Sequence, residues 1–90
     1  MENEIDNTTN ILDEAKKILS SRQKEYGKPK ESFKRIASLW GATLGIEVTK
    51  EQVAMCMIQL KIARLQSLKG HHDSIVDIIG YAYLLSELNS

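Results

Sequence analysis

An all-α fold, with four helices forming one compact domain over residues 1–90, follows from three features of the sequence. Leu, Ile, Ala, Lys, Glu and Gln dominate, Pro29 is the sole proline, and Gly27, Gly45 and Gly70 stand where helices would end. Between these breaks the apolar residues recur at three- and four-residue steps, and no segment reads as a strand. The first helix is expected from Ile11 to about Tyr26, capped within Asn7 to Asn10, with Leu12, Ala15, Ile18 and Leu19 as its apolar stripe. Residues 1–10 are expected to form a flexible N-terminus. Gly27 stops this helix, and Lys28, Pro29 and Lys30 connect it to a second from Glu31 to Leu44. That helix carries Phe33, Ile36, Ala37, Trp40 and Leu44 on one face and ends at Gly45. Thr49 and Gln52 have the spacing of a capping box, opening a long central third helix that should run to Lys69 and stop at Gly70. His71 and His72 then fall in the turn, Asp73 or a neighbour caps, and the fourth helix runs from Ser74 to Leu88.

Composition narrows the function classes. Twelve basic residues balance twelve acidic ones, which argues against a general nucleic-acid binder. The longest apolar stretches, Val53 to Ile58 and Ile78 to Leu85, are too short to cross a bilayer, and the acidic N-terminus is unlike a signal peptide. A cytoplasmic protein away from the membrane is the expectation. With a single cysteine no internal disulfide can form, and a chain of 90 residues makes a marginal core, so a homo-oligomer is expected.

The helical wheels sharpen this. Gln52, Gln59 and Gln66 form one line on the third helix, with Val53, Cys56, Leu60 and Ala63 on one flank and Met55, Ile58, Ile62 and Leu65 on another. The helix is apolar over most of its circumference, and its glutamine line is either a solvent window or an interface seam. Lys61 and Arg64 project from the other side and need partners. On the fourth helix Asp73, Asp77, Gly80, Tyr81 and Leu84 share a line. If helices three and four fold back antiparallel at Gly70, Arg64 lies near Asp77 and Lys61 near Tyr81.

Lys61, Arg64, Asp73, Asp77 and Tyr81 are therefore the leading candidate site, since charges on apolar faces are costly unless paired or used. Lys61 and Arg64 would grip phosphate or carboxylate, and the aspartates would hold a divalent ion or a hydroxyl. A helix cap at Asp73 and a structural Arg64–Asp77 pair are the plainer reading. A second candidate is the basic segment from Lys16 to Arg35, with Lys24, Tyr26, Phe33 and Arg35, which suits an anionic ligand with a stacking base. Cys56 reads as core, Trp40 as packing, and the paired histidines as an exposed turn. There is no Gly-rich phosphate loop, zinc pattern, serine elbow or paired glutamate motif.

The stretches from Arg22 to Pro29 (RQKEYGKP), Phe33 to Trp40 (FKRIASLW), Leu60 to Arg64 (LKIAR) and Asp73 to Asp77 (DSIVD), followed by Gly80-Tyr81, resemble a family of small proteins encoded by phages and prophages. The resemblance covers residues 11–88. The Tyr-Gly, Lys-x-x-Arg and Asp-x-x-x-Asp-x-x-x-Tyr elements are also similar to the phage nucleotide modification associated domain. Both likenesses support Lys24, Tyr26, Arg35, Lys61, Arg64, Asp73, Asp77 and Tyr81 as ligand-binding candidates. They imply a phage accessory protein at work in the bacterial host. A more distant likeness is to the all-α nucleoside triphosphate pyrophosphohydrolases of the MazG type, but this chain lacks their Glu-x-x-Glu magnesium pair; only Asp73 and Asp77 correspond to the later acids.

The resulting expectation is a nucleotide or phosphorylated-ligand binder. The alternatives are a helical homo-oligomerisation or host-protein interaction module, and a magnesium-dependent nucleotide hydrolase using Asp73 and Asp77. The balance favours a binder over an enzyme.

Overall fold

The computed structural model describes residues 2–88, with side chains at 10–25 and 27–88. Four helices follow one another: α1 (Glu2–Tyr26), α2 (Pro29–Leu44), α3 (Lys50–Ser67) and α4 (His72–Leu88). Among the described residues there is no strand, and no helix is long and apolar enough to cross a membrane.

The expected order of helices holds, while four boundaries move, the starts of α1, α2 and α4 and the end of α3. α1 starts at Glu2 rather than Ile11. α2 starts at Pro29, not Glu31. Proline is preorganised for a first helical position because its φ is already helical and its missing N–H has no helical partner to lose. α3 ends at Ser67 rather than Lys69, and α4 begins at His72, so the turn occupies Leu68 to His71.

The α3 start is the capping box expected from sequence: the Gln52 amide donates to Thr49 Oγ1 at 3.1 Å, and the Thr49 amide donates to Gln52 Oε1 at 2.9 Å. Beside it, a backbone N–H and then Lys50 hold the Glu51 carboxyl below its ordinary range. The charge on Glu51 thus favours the folded helix start at neutral pH, and this support fades as acid protonates the group.

The core lies among α2, α3 and α4, where Phe33, Ala37, Val53, Ala54, Tyr81 and Leu88 are buried together. α3 and α4 form the antiparallel hairpin, and α2 packs across both. α1 lies on α4 and touches α2. Its buried Ala15 faces α4, but Leu12 of the expected stripe is half exposed and Ile18 more than a third. Gly80 admits α1: a Cβ there would meet only Leu19 Cδ2, at an ordinary 3.8 Å.

Gly41 has a tighter setting. After α2, Gly45 turns left-handed (φ 71°), and the amides of Gly45 and Ile46 return to the Gly41 carbonyl at 2.8 and 3.2 Å. A Cβ on Gly41 would lie 2.8 Å from the Ile46 carbonyl oxygen, and a backbone atom cannot swing aside. Overpacking of this kind costs about 1–3 kcal/mol, against a helix-propensity gain of about 1 kcal/mol. Gly41→Ala therefore lowers stability while Gly80→Ala raises it, opposite shifts in midpoint that a pair of thermal scans will show.

Candidate functional site

A cleft of about 830 Å³ opens where the end of α1, the start of α2 and the end of α4 converge over α3. Each wall has a local cause. Gly27 (φ 79°) and Pro29 turn the chain sharply between α1 and α2, which sets Arg22 of one helix near Lys28 and Lys30 at the start of the next. The α2 stripe then supplies Phe33, Ile36 and Trp40, and α4 supplies Tyr81 and Leu84. The interior is mainly apolar and aromatic, and its volume falls within the range of small-molecule sites, about 300–1,000 Å³.

Tyr81 is the hinge of this arrangement. Its ring meets Phe33 edge to face, with centroids 6.4 Å apart and planes at 78°. Arg22 Nη1 donates to its hydroxyl at 3.1 Å, and the guanidinium carbon lies 5.6 Å from the ring centroid, a cation–π contact that ties α1 to α4. At the margin, the Tyr83 hydroxyl donates to Glu87 Oε1 at 2.6 Å, and that carboxylate raises the Tyr83 phenol above its ordinary value. Three basic side chains, Arg22, Lys28 and Lys30, face two acidic ones, Glu25 and Glu87, around the opening.

The Lys61 to Tyr81 group divides. Lys61 Nζ lies 3.0 Å from Asp77 Oδ2, with both side chains less than one-fifth exposed. This corrects the expected register: Asp77 pairs with Lys61 rather than Arg64, and Tyr81 pairs with Arg22 rather than Lys61. The hairpin turns about Lys69 because α3 stops early, which slides α4 by nearly one helical turn. The gap bordered by Asp77, Gly80 and Tyr81 is about 10 Å³, room for at most one water. Arg64, Asp73, Lys24 and Arg35 are exposed outside the large cleft, and the Tyr26 side chain lies outside the described residues. Asp73 sits in the first turn of α4, favourably placed against the helix dipole. Among the described residues no cluster of three or more His, Cys, Asp or Glu side chains is arranged to hold a metal ion.

Other expectations shift with packing. Cys56 is exposed rather than core, because it lies on the side of α3 that neither α2 nor α4 covers. The histidines are engaged: His71 Nδ1 is 2.7 Å from buried Ser74 Oγ, and His72 Nε2 is 2.5 Å from Glu14 Oε2 on α1. Trp40 packs against the core as expected and also lines the cleft. The Arg22–Tyr81 contact, between residues 59 positions apart, had no signal in the sequence beyond the basic run that contains Arg22.

No solved structure matches the chain. It is 48% identical over 80 residues to the Gene 55 protein of Mycobacterium phage L5, covering 87% of this chain and 51% of that protein. Over 73 residues it is 44% identical to the Gene 55 protein of Mycobacterium phage D29, covering 80% of this chain and 48% of that one. The chain thus spans about half the length of the curated relatives it matches. With residues 10–89 matching the family and phage proteins among its relatives, the chain belongs to the phage protein family described as a domain of unknown function, DUF6378.

Proposed function

We propose that the cleft between α1, α2 and α4 binds a nucleotide or a similar phosphorylated small molecule. The observation that carries this reading is the pairing of an aromatic interior with a basic rim in one cavity of about 830 Å³: Phe33, Trp40 and Tyr81 inside, Arg22, Lys28 and Lys30 at the mouth. A base is flat, apolar on its faces and well suited to aromatic walls, whereas its phosphates need cations at the solvent edge. The first backbone amides of α2 open beside Lys28, adding donors aimed along the helix axis. The likeness of the Tyr-Gly and Lys-x-x-Arg elements to a nucleotide modification associated domain agrees with this choice of ligand. In this reading Tyr81 contributes through the cleft wall, while Lys61 and Asp77 hold α3 and α4 in register beneath it.

Thermal unfolding of the protein against nucleoside mono-, di- and triphosphates and inorganic phosphate, each with and without magnesium, tests it. A ligand at about 100 times its dissociation constant adds about 2.7 kcal/mol of stability. The expected result is a base-selective rise in midpoint that Lys28→Ala and Trp40→Leu each weaken, with Arg64→Ala binding like the parent. A flat panel from folded protein, or a shift that phosphate alone reproduces in full, overturns the reading.

A further inference from the structure

Two carboxylates, Glu25 and Glu87, share the mouth of the cleft with Arg22, Lys28 and Lys30. Each repels the phosphates that the cations attract, so a rim built for phosphate alone would do better without them. Glu87 is unfavourably placed on a second count. It lies in the last turn of α4, which holds no basic residue, and the negative end of the helix dipole disfavours a carboxylate there. A charge kept against two opposing fields points to a task that a neutral side chain would not perform.

The carboxylate is also aimed. Tyr81, Leu84 and Leu88 share one side of α4 at steps of three and four, and this side lines the cleft interior. Tyr83 and Glu87, one turn apart on the adjoining flank, line its edge. The Tyr83 hydroxyl donates to Glu87 Oε1 at 2.6 Å, which holds the carboxylate along α4 at the cleft margin. An ionised carboxylate has about four acceptor sites, so this contact leaves it able to take hydroxyl donors from a ligand.

A nucleotide with its base against Phe33, Trp40 and Tyr81 and its phosphates at Arg22, Lys28 and Lys30 has its sugar between the two, at the level of this margin. We infer that Glu87 reads that sugar: its carboxylate accepts hydrogen bonds from the 2′- and 3′-hydroxyls of a ribose, which makes the cleft a ribonucleotide site that discriminates against deoxyribonucleotides. Two carboxylate oxygens side by side match a pair of adjacent hydroxyls, and the negative charge strengthens both bonds. A guanine edge would also suit a carboxylate, but the base belongs among the aromatic walls, whereas Glu87 is exposed at the mouth. This inference rests on the cleft reading proposed above and adds to it the class of sugar and the residue that selects it.

Calorimetric titration tests it with the 5′-mono-, di- and triphosphates of adenosine, guanosine, cytidine and uridine, each beside its 2′-deoxy counterpart. For whichever base binds, the parent is expected to hold the ribose form about tenfold more tightly, the worth of one charge-assisted hydrogen bond at a solvated site. Glu87→Gln keeps the size of the side chain and removes its charge. A neutral acceptor makes a bond about half as strong, so the preference is expected to fall to about threefold or less. The fall comes from weaker binding of the ribose form, while the deoxyribose form binds as before or slightly more tightly, because its phosphates are no longer repelled. Glu87 is exposed, and circular dichroism checks that the variant is folded. Equal binding of the two sugars by the parent, or a ribose preference that survives Glu87→Gln in full, overturns this inference and leaves the cleft reading standing. So does a Glu87→Gln variant that binds both sugars more tightly by the same factor, which would reduce Glu87 to a repelling charge. Folded protein that binds neither series overturns the cleft reading and this inference with it.

Discussion

Phe33→Ala should remove a large share of the stability of this chain, about 3–4 kcal/mol. Phe33 is 6% exposed, sits at the centre of the cluster joining α2, α3 and α4, and meets Tyr81 edge to face. Truncating a buried Phe costs about 3–5 kcal/mol through lost transfer energy and the cavity left behind, and domains of this size hold only about 5–13 kcal/mol in all. The nearby cleft gives the void an outlet to solvent, so water can relieve some of the strain, and the lower half of that range is expected. Urea unfolding followed through Trp40 fluorescence and helical circular dichroism measures the loss. A decrease below 1 kcal/mol would mean that Phe33 is not the centre of the core.

Asp77→Ala has the second largest effect, because it strands a cation. Lys61 is 16% exposed, and Asp77 is the carboxylate 3.0 Å away. Removing one member of a fully buried pair costs about 3–5 kcal/mol; residual hydration here brings the expectation to about 2 kcal/mol. The cost comes from the orphaned ammonium, so the double variant Asp77→Ala with Lys61→Met should regain a large part of the loss. Arg64→Ala, on exposed surface, should stay within about 0.5 kcal/mol of the parent. Denaturation midpoints of the four proteins decide the matter. An Arg64→Ala cost equal to that of Asp77→Ala would restore the register first expected from the sequence.

These pairings separate what the sequence encodes locally from what only folding assembles. The Thr49–Gln52 box, the Gly45 stop and the Phe33 to Trp40 stripe depend on residues a few positions apart, and each could be read directly. So could the need of Lys61 for a partner on α4. The identity of that partner could not, because it depends on whether the turn centres on Lys69 or nearly two residues later, between Gly70 and His71, and a shift of that size at the hinge moves the paired residues by three to four positions, about one helical turn. Cys56 illustrates the same limit: its apolar neighbours suggested a core, yet the direction from which α2 and α4 approach decides which apolar side of α3 is covered. The cleft needed more still. Phe33 and the basic segment were visible, but Arg22, Trp40 and Tyr81 converge only when three helices pack.

The way α1 is attached makes the stability of the molecule uneven. α1 rests on α4 and touches α2, whereas the central cluster contains none of its residues. Its ties include Arg22 to Tyr81, His72 to Glu14 and the packing of Ala15, while Leu12 stays half exposed. Segments held by so few buried groups open as separate cooperative units, at a free energy below that of global unfolding. The three-helix remainder keeps its core when α1 lifts, and Arg22 then leaves the cleft mouth. Arg22 couples that helix to the cleft: a ligand that bridged Arg22 to the walls of α2 and α4 would add to the cost of opening α1.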